Sequence, residues 1–445
     1  MIHIHNFGMN NVIDLECLVL NSAPLISRGR LEIPYPALLA VKDLDNIEYY
    51  AEIMAEQNGI ISSEGKILLK LNEKYDLAAR LSKEKPQTSH DKAFQNAGFN
   101  GILEVRVDGK SGGGGAHNAA YGQGIFLQGA VGARDKGALV QRSFGDVYNI
   151  RSYLHVMYGD PFIEDKLPPF VTYHPICDCE GSEVERNVNI PIKGEKIIFR
   201  SKPFPYDKRH PESIDSYIKK GDVLFVNTVK DRDYLEIAYA ALRTGKIGKC
   251  IVAATDSMID KLGADEIRKL VGFSDVYISN VDELERLTQT EITDNPSLAR
   301  AMDKVRDMQL SGSRDGKKPH VYVTFGENGA AVMDTSGNVF YQPTMNFQSR
   351  GPLAPRIVNT NGCGDAFAGI AATLEASGFP TLEILDYANC AGQICTQHNG
   401  ASGNFLATPE KISEFKKQYG RSPIKMYDRP QQDFIGGIIV NCRFD

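Results

Sequence analysis

From residue 221 onward, short apolar runs alternate with segments of helical period, and that alternation narrows the fold more than any other feature of the chain. Residues 222–227 (DVLFVN) read as a buried strand. Residues 232–244 put Tyr234, Leu235, Ile237, Ala238, Ala241 and Leu242 on one apolar stripe, as an amphipathic helix requires. Further strands are expected at 249–254 (KCIVAA), 275–279 (DVYIS) and 320–324 (HVYVT), with helices at 265–271 and from 281 to 287. Strands that take turns with helices imply a parallel sheet covered on both faces. Helical periods return at 364–376, 381–397 and 409–419, with Gly378, Gly400 and Gly403 as stops or turns.

The N-terminal half is less regular. Residues 12–20 read as a strand, and 47–57 and 74–83 as amphipathic helices, so a helical insertion is expected over about 40–107. Residues 86–100 are polar and loop-like, and 177–205 alternate in a way that suits strands of a smaller subdomain. The 445 residues, 42% of them hydrophobic, suffice for a large core. A net charge of −6 offers no basic field for nucleic acid. No apolar run reaches membrane-spanning length, and residues 1–11 lack a secretory pattern, so a cytoplasmic protein is expected. Eight cysteines are too sparse for a disulfide scaffold.

The richest stretch is NTNGCGDAFAG, residues 359–369. Gly362 and Gly364 permit a sharp bend and close approach to a ligand. A helix that starts there aims unpaired N–H groups outward, which suits a phosphate. Asp365 falls in its first turn, where a carboxylate could accept a proton from an attacking hydroxyl. Phosphoryl transfer asks little more than an in-line nucleophile and compensation of charge. The same residues also make an ordinary helix start, with glycines for the turn and an aspartate for the dipole. Two other stretches follow strands. Asn280 and Glu283 stand one helical turn apart and could serve a hard cation, or simply cap a helix. The turn from Thr324 through Gly326 to Gly329 could meet a phosphate, or simply join two strands.

The 359–369 stretch resembles the C-terminal signature of the ribokinase/pfkB family, D-T-x-G-A-G-D-x-F, at Thr360, Gly362, Gly364, Asp365 and Phe367. The resemblance implies a three-layer α/β/α fold with a mainly parallel central sheet and a small β-containing lid. It implies that Asp365 is the general base and that the amides of Gly362, Cys363 and Gly364 form an anion hole. Asn280 and Glu283 match the family's N-x-x-E motif, which organises Mg2+ and the ATP phosphates, with Glu283 acting on the metal through water. Thr324, Gly326 and Gly329 match its T-x-G-x-x-G nucleotide turn, and Asn389 and Gly400 fall where members wall the adenine. On the acceptor side, Gly113, Gly114 and Asn118 match G-G-x-x-x-N, and Gly8, Asn10 and Asp14 resemble the ribose-gripping first strand of adenosine kinases. Lid segments are then expected within about 15–35 and 177–205 of a single kinase domain spanning 1–445. Asn359 and Cys363 replace the usual Asp and Ala, and the first change leaves activation by a monovalent cation open.

The expectation is an ATP- and Mg2+-dependent kinase acting on a sugar or nucleoside, with no nucleic-acid or membrane partner. Members often pair through the lid, so a homodimer is among the implications. A catalytically idle relative that binds or regulates is the rival from another class. Zinc at His174, Cys177 and Cys179 lacks a second ligand pair. A Walker loop is absent, and the 112–115 glycine run does not follow the dinucleotide fingerprint.

Overall fold

The computed structural model describes residues 1–8, 12–20, 26–27, 30–35, 37–42, 48–53, 66–70, 74–77, 101–135, 147–158, 160–177, 185–192, 195–200, 213–312, 319–345, 357–358, 360, 362–397, 407–420 and 422–426. The first part consists of strands: β1 (Ile2–Phe7), β2 (Val12–Val19), β3 (Ile26–Ser27), β4 (Arg30–Pro34), β5 (Ala37–Lys42), β6 (Glu48–Ile53), β7 (Lys66–Lys70), β8 (Lys74–Asp76) and β9 (Gly101–Gly113). The helix Gly115–Asp135 leads to β10 (Ile150–Tyr158), β11 (Val171–Cys177), β12 (Glu185–Ile192) and β13 (Glu195–Arg200). Strands and helices then alternate through β14 (Asp222–Asn227), β15 (Ile247–Ala253), β16 (Val276–Asn280) and β17 (His320–Thr324). A hairpin, β18 (Ala330–Met333) and β19 (Val339–Gln342), precedes three helices and β20 (Lys425–Met426).

The central sheet has ten strands in the order β11-β10-β1-β14-β15-β16-β17-β18-β19-β20. It is parallel from β11 to β17 and antiparallel beyond. Strands such as β14 (DVLFVN) are largely apolar because both faces of the sheet are covered. On β14, Leu224 and Val226 join the core under the helices Arg232–Arg243, Ala264–Phe273 and Asn295–Ser311. Val223 and Phe225 join the opposite core, under Gly115–Asp135, Cys363–Ala376, Thr381–Cys395 and Pro409–Tyr419. The three-layer expectation therefore holds.

The lid expectation needs enlarging. A second sheet of seven strands, β6-β5-β9-β2-β12-β13-β8, and a third of three, β3-β4-β7, share their own core around Leu31, Leu39, Val105, Val188 and Phe199. The helices expected at 47–57 and 74–83 are replaced, where described, by β6 and β8. EYYAEI is too short to separate the two periods locally, and its pairing with β5 decides the matter. The insertion over 40–107 is thus β-structure where described. The loop expected at 86–100 lies outside the described residues. No described helix is long and apolar enough to cross a membrane.

Two contacts fix the helix Cys363–Ala376, one to the sheet and one to a neighbouring helix. Glu375, buried at the end of Cys363–Ala376, receives Lys249 Nζ at 2.8 Å and the Tyr322 hydroxyl at 2.9 Å, with His320 Nδ1 at 2.6 Å. Burial pushes its carboxyl up, but the His320 and Lys249 contacts win and hold it down at about 2. In the same helix Gly369 packs on Gly115–Asp135, where a β-carbon would lie 2.7 Å from the Ala119 carbonyl oxygen.

Removing the Glu375 carboxylate leaves Lys249 without its counter-charge, though still bonded to the 375 carbonyl, and takes the acceptor from Tyr322, so Glu375→Ala should cost about 3–5 kcal/mol in urea unfolding. Because the folded carboxyl sits below its ordinary value of 4.5, its contribution is present above that pH and lost as pH falls toward about 2. Stability curves of Glu375→Gln should be flatter across that window. Gly369→Ala meets backbone, which cannot swing aside, and should cost about 1–3 kcal/mol by the same assay.

Candidate active site

The order in which the chain adds strands to the central sheet reverses at β1 and β14, with β10 and β11 on one side and β15 to β17 on the other. Open α/β sheets bind ligands in the crevice beyond the carboxyl ends of strands at such a point. Gly8 follows β1 there, and Asn227 ends β14. The backbones meet so closely that a β-carbon on Gly8 would lie 2.6 Å from the Asn227 carbonyl oxygen, and one on Gly115 would lie 2.6 Å from the Asn227 side chain. Thr228 takes a left-handed backbone, φ 56°, which is costly for a threonine and is held by this crowding.

Two helix N-termini converge on the crevice. Gly114, at φ 92°, turns the chain from β9 of the lid into Gly115–Asp135. Gly362, at φ 77°, begins Cys363–Ala376 with no side-chain cap. Space is open where a Gly364 side chain would stand, and the residue is exposed. The Cys363 amide reaches back to the Thr360 carbonyl at 3.4 Å, a long bond. Asp365, half-buried in the first turn, accepts a hydrogen bond from Asn118 Nδ2 at 2.8 Å, across 247 residues of sequence. The close packing at Gly369, one turn further on, sets the two helices near enough for that bond.

Beside Asn118, His117 is fully buried, and neither ring nitrogen has a hydrogen-bond partner. Burial drives its pKa down to about 4, with the Asn118 side chain opposing, so the ring is neutral near pH 7. The Oδ1 atoms of Asn118 and Asn227 and the Thr228 hydroxyl are also buried and unpartnered. Buried polar groups without partners are costly, and a concentration of them where strands end and helices begin suits a polar ligand.

Asn280 and Glu283 form a reciprocal cap. Asn280 Oδ1 accepts from the Glu283 amide and Glu283 Oε2 accepts from the Asn280 amide, each at 2.8 Å. Glu283 Oε1 also faces the Asp256 amide at 3.3 Å. Burial raises the Glu283 carboxyl to about 8, helped by the negative charges of Asp256 and Asp365. Carboxylates crowded near a helix N-terminus would gain from a hard cation, so the oxygen donors here fit Mg2+. Thr324 lies opposite Asn280 in the β16–β17 register.

The 324–329 stretch is a hairpin turn between antiparallel strands, with Gly326 at φ 56° and Gly329 at φ 112°. A β-carbon on Gly329 would lie 2.1 Å from the Gln342 carbonyl oxygen, so the fold alone demands glycine there. Asn389 is buried, and its amide is directed to Gln342 and to the Pro343 carbonyl, bracing a helix on β19. Gly113 ends β9, and Asp14 pairs in register with Ser111 on the lid sheet. Asn10 and Gly400 lie outside the described residues. The sequence reading missed Asn227, Thr228 and Asp256. A strand-ending Asn-Thr pair and an N-terminal Asp on the short helix Asp256–Leu262 were faint signals for them.

Residues 195–408 match the family described as pfkB family carbohydrate kinase. No curated protein sequence matches the chain. Among solved structures, the adenosine kinase of Sinorhizobium meliloti is 16% identical with a TM-score of 0.52, over 93% of this chain and 99% of that one. A ribokinase of Cryptococcus neoformans in complex with ADP is 15% identical with a TM-score of 0.52, over 93% and 98%. Phosphofructokinase-2 of Escherichia coli in complex with potassium is 13% identical with a TM-score of 0.52, over 94% and 99%. At such identities the likeness is one of fold. Residues 195–408 thus resemble the pfkB family, and the chain as a whole shares the ribokinase-like fold of these structures.

Proposed function

We propose that this protein is an ATP-dependent kinase that transfers the γ-phosphate to a hydroxyl of a sugar or nucleoside. The observation that carries the reading is the Asp365 carboxylate, hydrogen-bonded by Asn118 beside an uncapped helix N-terminus. Asn118 orients that carboxylate through its amide. Asp365 takes the proton of the acceptor hydroxyl as its oxygen attacks the γ-phosphorus, and ADP departs on the opposite side. The first turn of this helix, at Gly364, offsets charge on the group in transfer. Mg2+ supplies charge neutralisation of the polyphosphate. Glu283 would hold it through water, and Asn280 braces Glu283 by the reciprocal cap. The β-rich lid closes over the acceptor and excludes water, which limits loss of ATP to hydrolysis.

The orphaned groups of His117, Asn118, Asn227 and Thr228 favour a neutral, hydroxyl-rich acceptor over an idle binding module. Adenosine, cytidine, ribose and fructose, each offered with ATP and assayed by ADP release, test both points. No turnover with any of these or with related acceptors would favour the idle reading.

Asp365→Asn should lower kcat by about 10²–10⁴-fold, the usual worth of a general base, while leaving ATP affinity within a few-fold. Near-normal turnover in that variant would remove Asp365 from the mechanism. Because the Glu283 carboxyl titrates at about 8, apparent Mg2+ affinity should rise as pH increases through that value. Glu283→Gln should weaken Mg2+ dependence and flatten its pH profile. An unchanged profile would exclude Glu283 from the metal.

A further inference from the structure

Far from the nucleotide turn, β1 carries a second constellation that phosphoryl transfer does not use. Its sequence is Ile-His-Ile-His, and residues two apart on a strand face the same side. His3 and His5 therefore project together, while Ile4 enters the opposite core. The register of β1 with β14 sets Asp222 beside them. His5 Nε2 lies 3.0 Å and His3 Nδ1 lies 3.3 Å from Asp222 Oδ2. These three atoms all fall within 4.8 Å of one another, and all three residues are buried. Donors bound to one tetrahedral ion at about 2.0–2.2 Å stand about 3.4 Å apart, close to this spacing.

The surroundings of the three are built as a metal site's are. The Asp222 carboxylate is held by two backbone amides, His3 N on Oδ1 at 3.1 Å and Lys219 N on Oδ2 at 2.6 Å. Behind His5, His155 Nε2 lies 2.9 Å from His5 Nδ1, and His174 Nδ1 lies 2.9 Å from His155 Nδ1. The ring nitrogen of His5 that faces away from the carboxylate thus has the fixed partner that orients a ligating imidazole. Among the described residues, Asp222 forms ion pairs with no lysine or arginine, only with these two imidazoles. A buried carboxylate of that kind gains from a cation. Two imidazole nitrogens and one carboxylate oxygen select a divalent transition metal over Mg2+ or Ca2+.

We propose that His3, His5 and Asp222 form a structural site for a divalent transition metal of the zinc class, with water as the fourth ligand, which clamps β1 to β14. The clamp joins the first strand of the chain to the first strand of its alternating half, 217 residues apart between His5 and Asp222. It stands independently of the kinase reading, since it takes no part in phosphoryl transfer.

The test uses the full-length, tag-free protein, stripped with a chelator and titrated with Co2+ and with Zn2+. One Co2+ per chain should bind, with the visible absorption of a tetrahedral nitrogen/oxygen site and no thiolate band, and Zn2+ should raise Tm. His3→Gln and His5→Gln should lose that absorption, and Asp365→Asn should keep it. His155→Asn should weaken binding by about 10–100-fold. A stripped wild-type protein that takes up neither ion would overturn the site and leave a purely hydrogen-bonded cluster. Full retention of the absorption in folded His3→Gln and His5→Gln would overturn it as well. If those variants do not fold, the wild-type Co2+ spectrum decides, and a thiolate or octahedral signature counts against the proposal.

Discussion

The contact on which the site depends is the approach of two helices whose N-termini lie far apart in sequence, Gly115–Asp135 and Cys363–Ala376. Gly369 allows it, because any side chain there would strike the Ala119 carbonyl. The approach brings the Asn118 amide to Asp365 and sets an open helix terminus beside the carboxylate. Neither helix achieves this alone. One leaves the lid at Gly114, the other begins at Gly362, and a glycine with left-handed backbone aims each of them.

Buried charge is handled in three ways. At Glu375, toward the amino ends of β15 and β17, the carboxylate is matched by Lys249, His320 and Tyr322 and serves to hold a helix on the sheet. At Glu283 burial, helped by the nearby carboxylates of Asp256 and Asp365, holds the group near neutrality until something positive arrives. At Asp222 two imidazoles and two backbone amides surround the charge. The first arrangement is complete by itself, whereas the second is poised for a ligand.

Much of the alternating half was legible because its signals are local. The helices at Arg232–Arg243 and Pro409–Tyr419 carry apolar stripes with Asp231 and Thr408 as caps. Strands such as DVLFVN are apolar because both faces are buried. Gly115–Asp135 went unread for the converse reason. It is small-residued and covered on several sides, so no polar face marks its period. The lid was misread because short strands such as EYYAEI and KYD acquire their state from partners elsewhere in the chain. Asn280 was read both as a cap and as a metal-site residue, and its geometry is that of a cap which steadies Glu283.

What the sequence by itself determined is the set of structures whose causes lie within a turn or two: the helix and strand order from 221 onward, the glycine-led start before Asp365, and the Asn280–Glu283 pair. Tertiary structure alone decided which of these meet. The pairing of Asn118 with Asp365, the orphaned His117 and the His3–His5–Asp222 cluster join residues from distant parts of the chain or depend on burial. Hydrogen bonds and desolvation act over a few ångströms, and only the folded sheet brings such groups within that range.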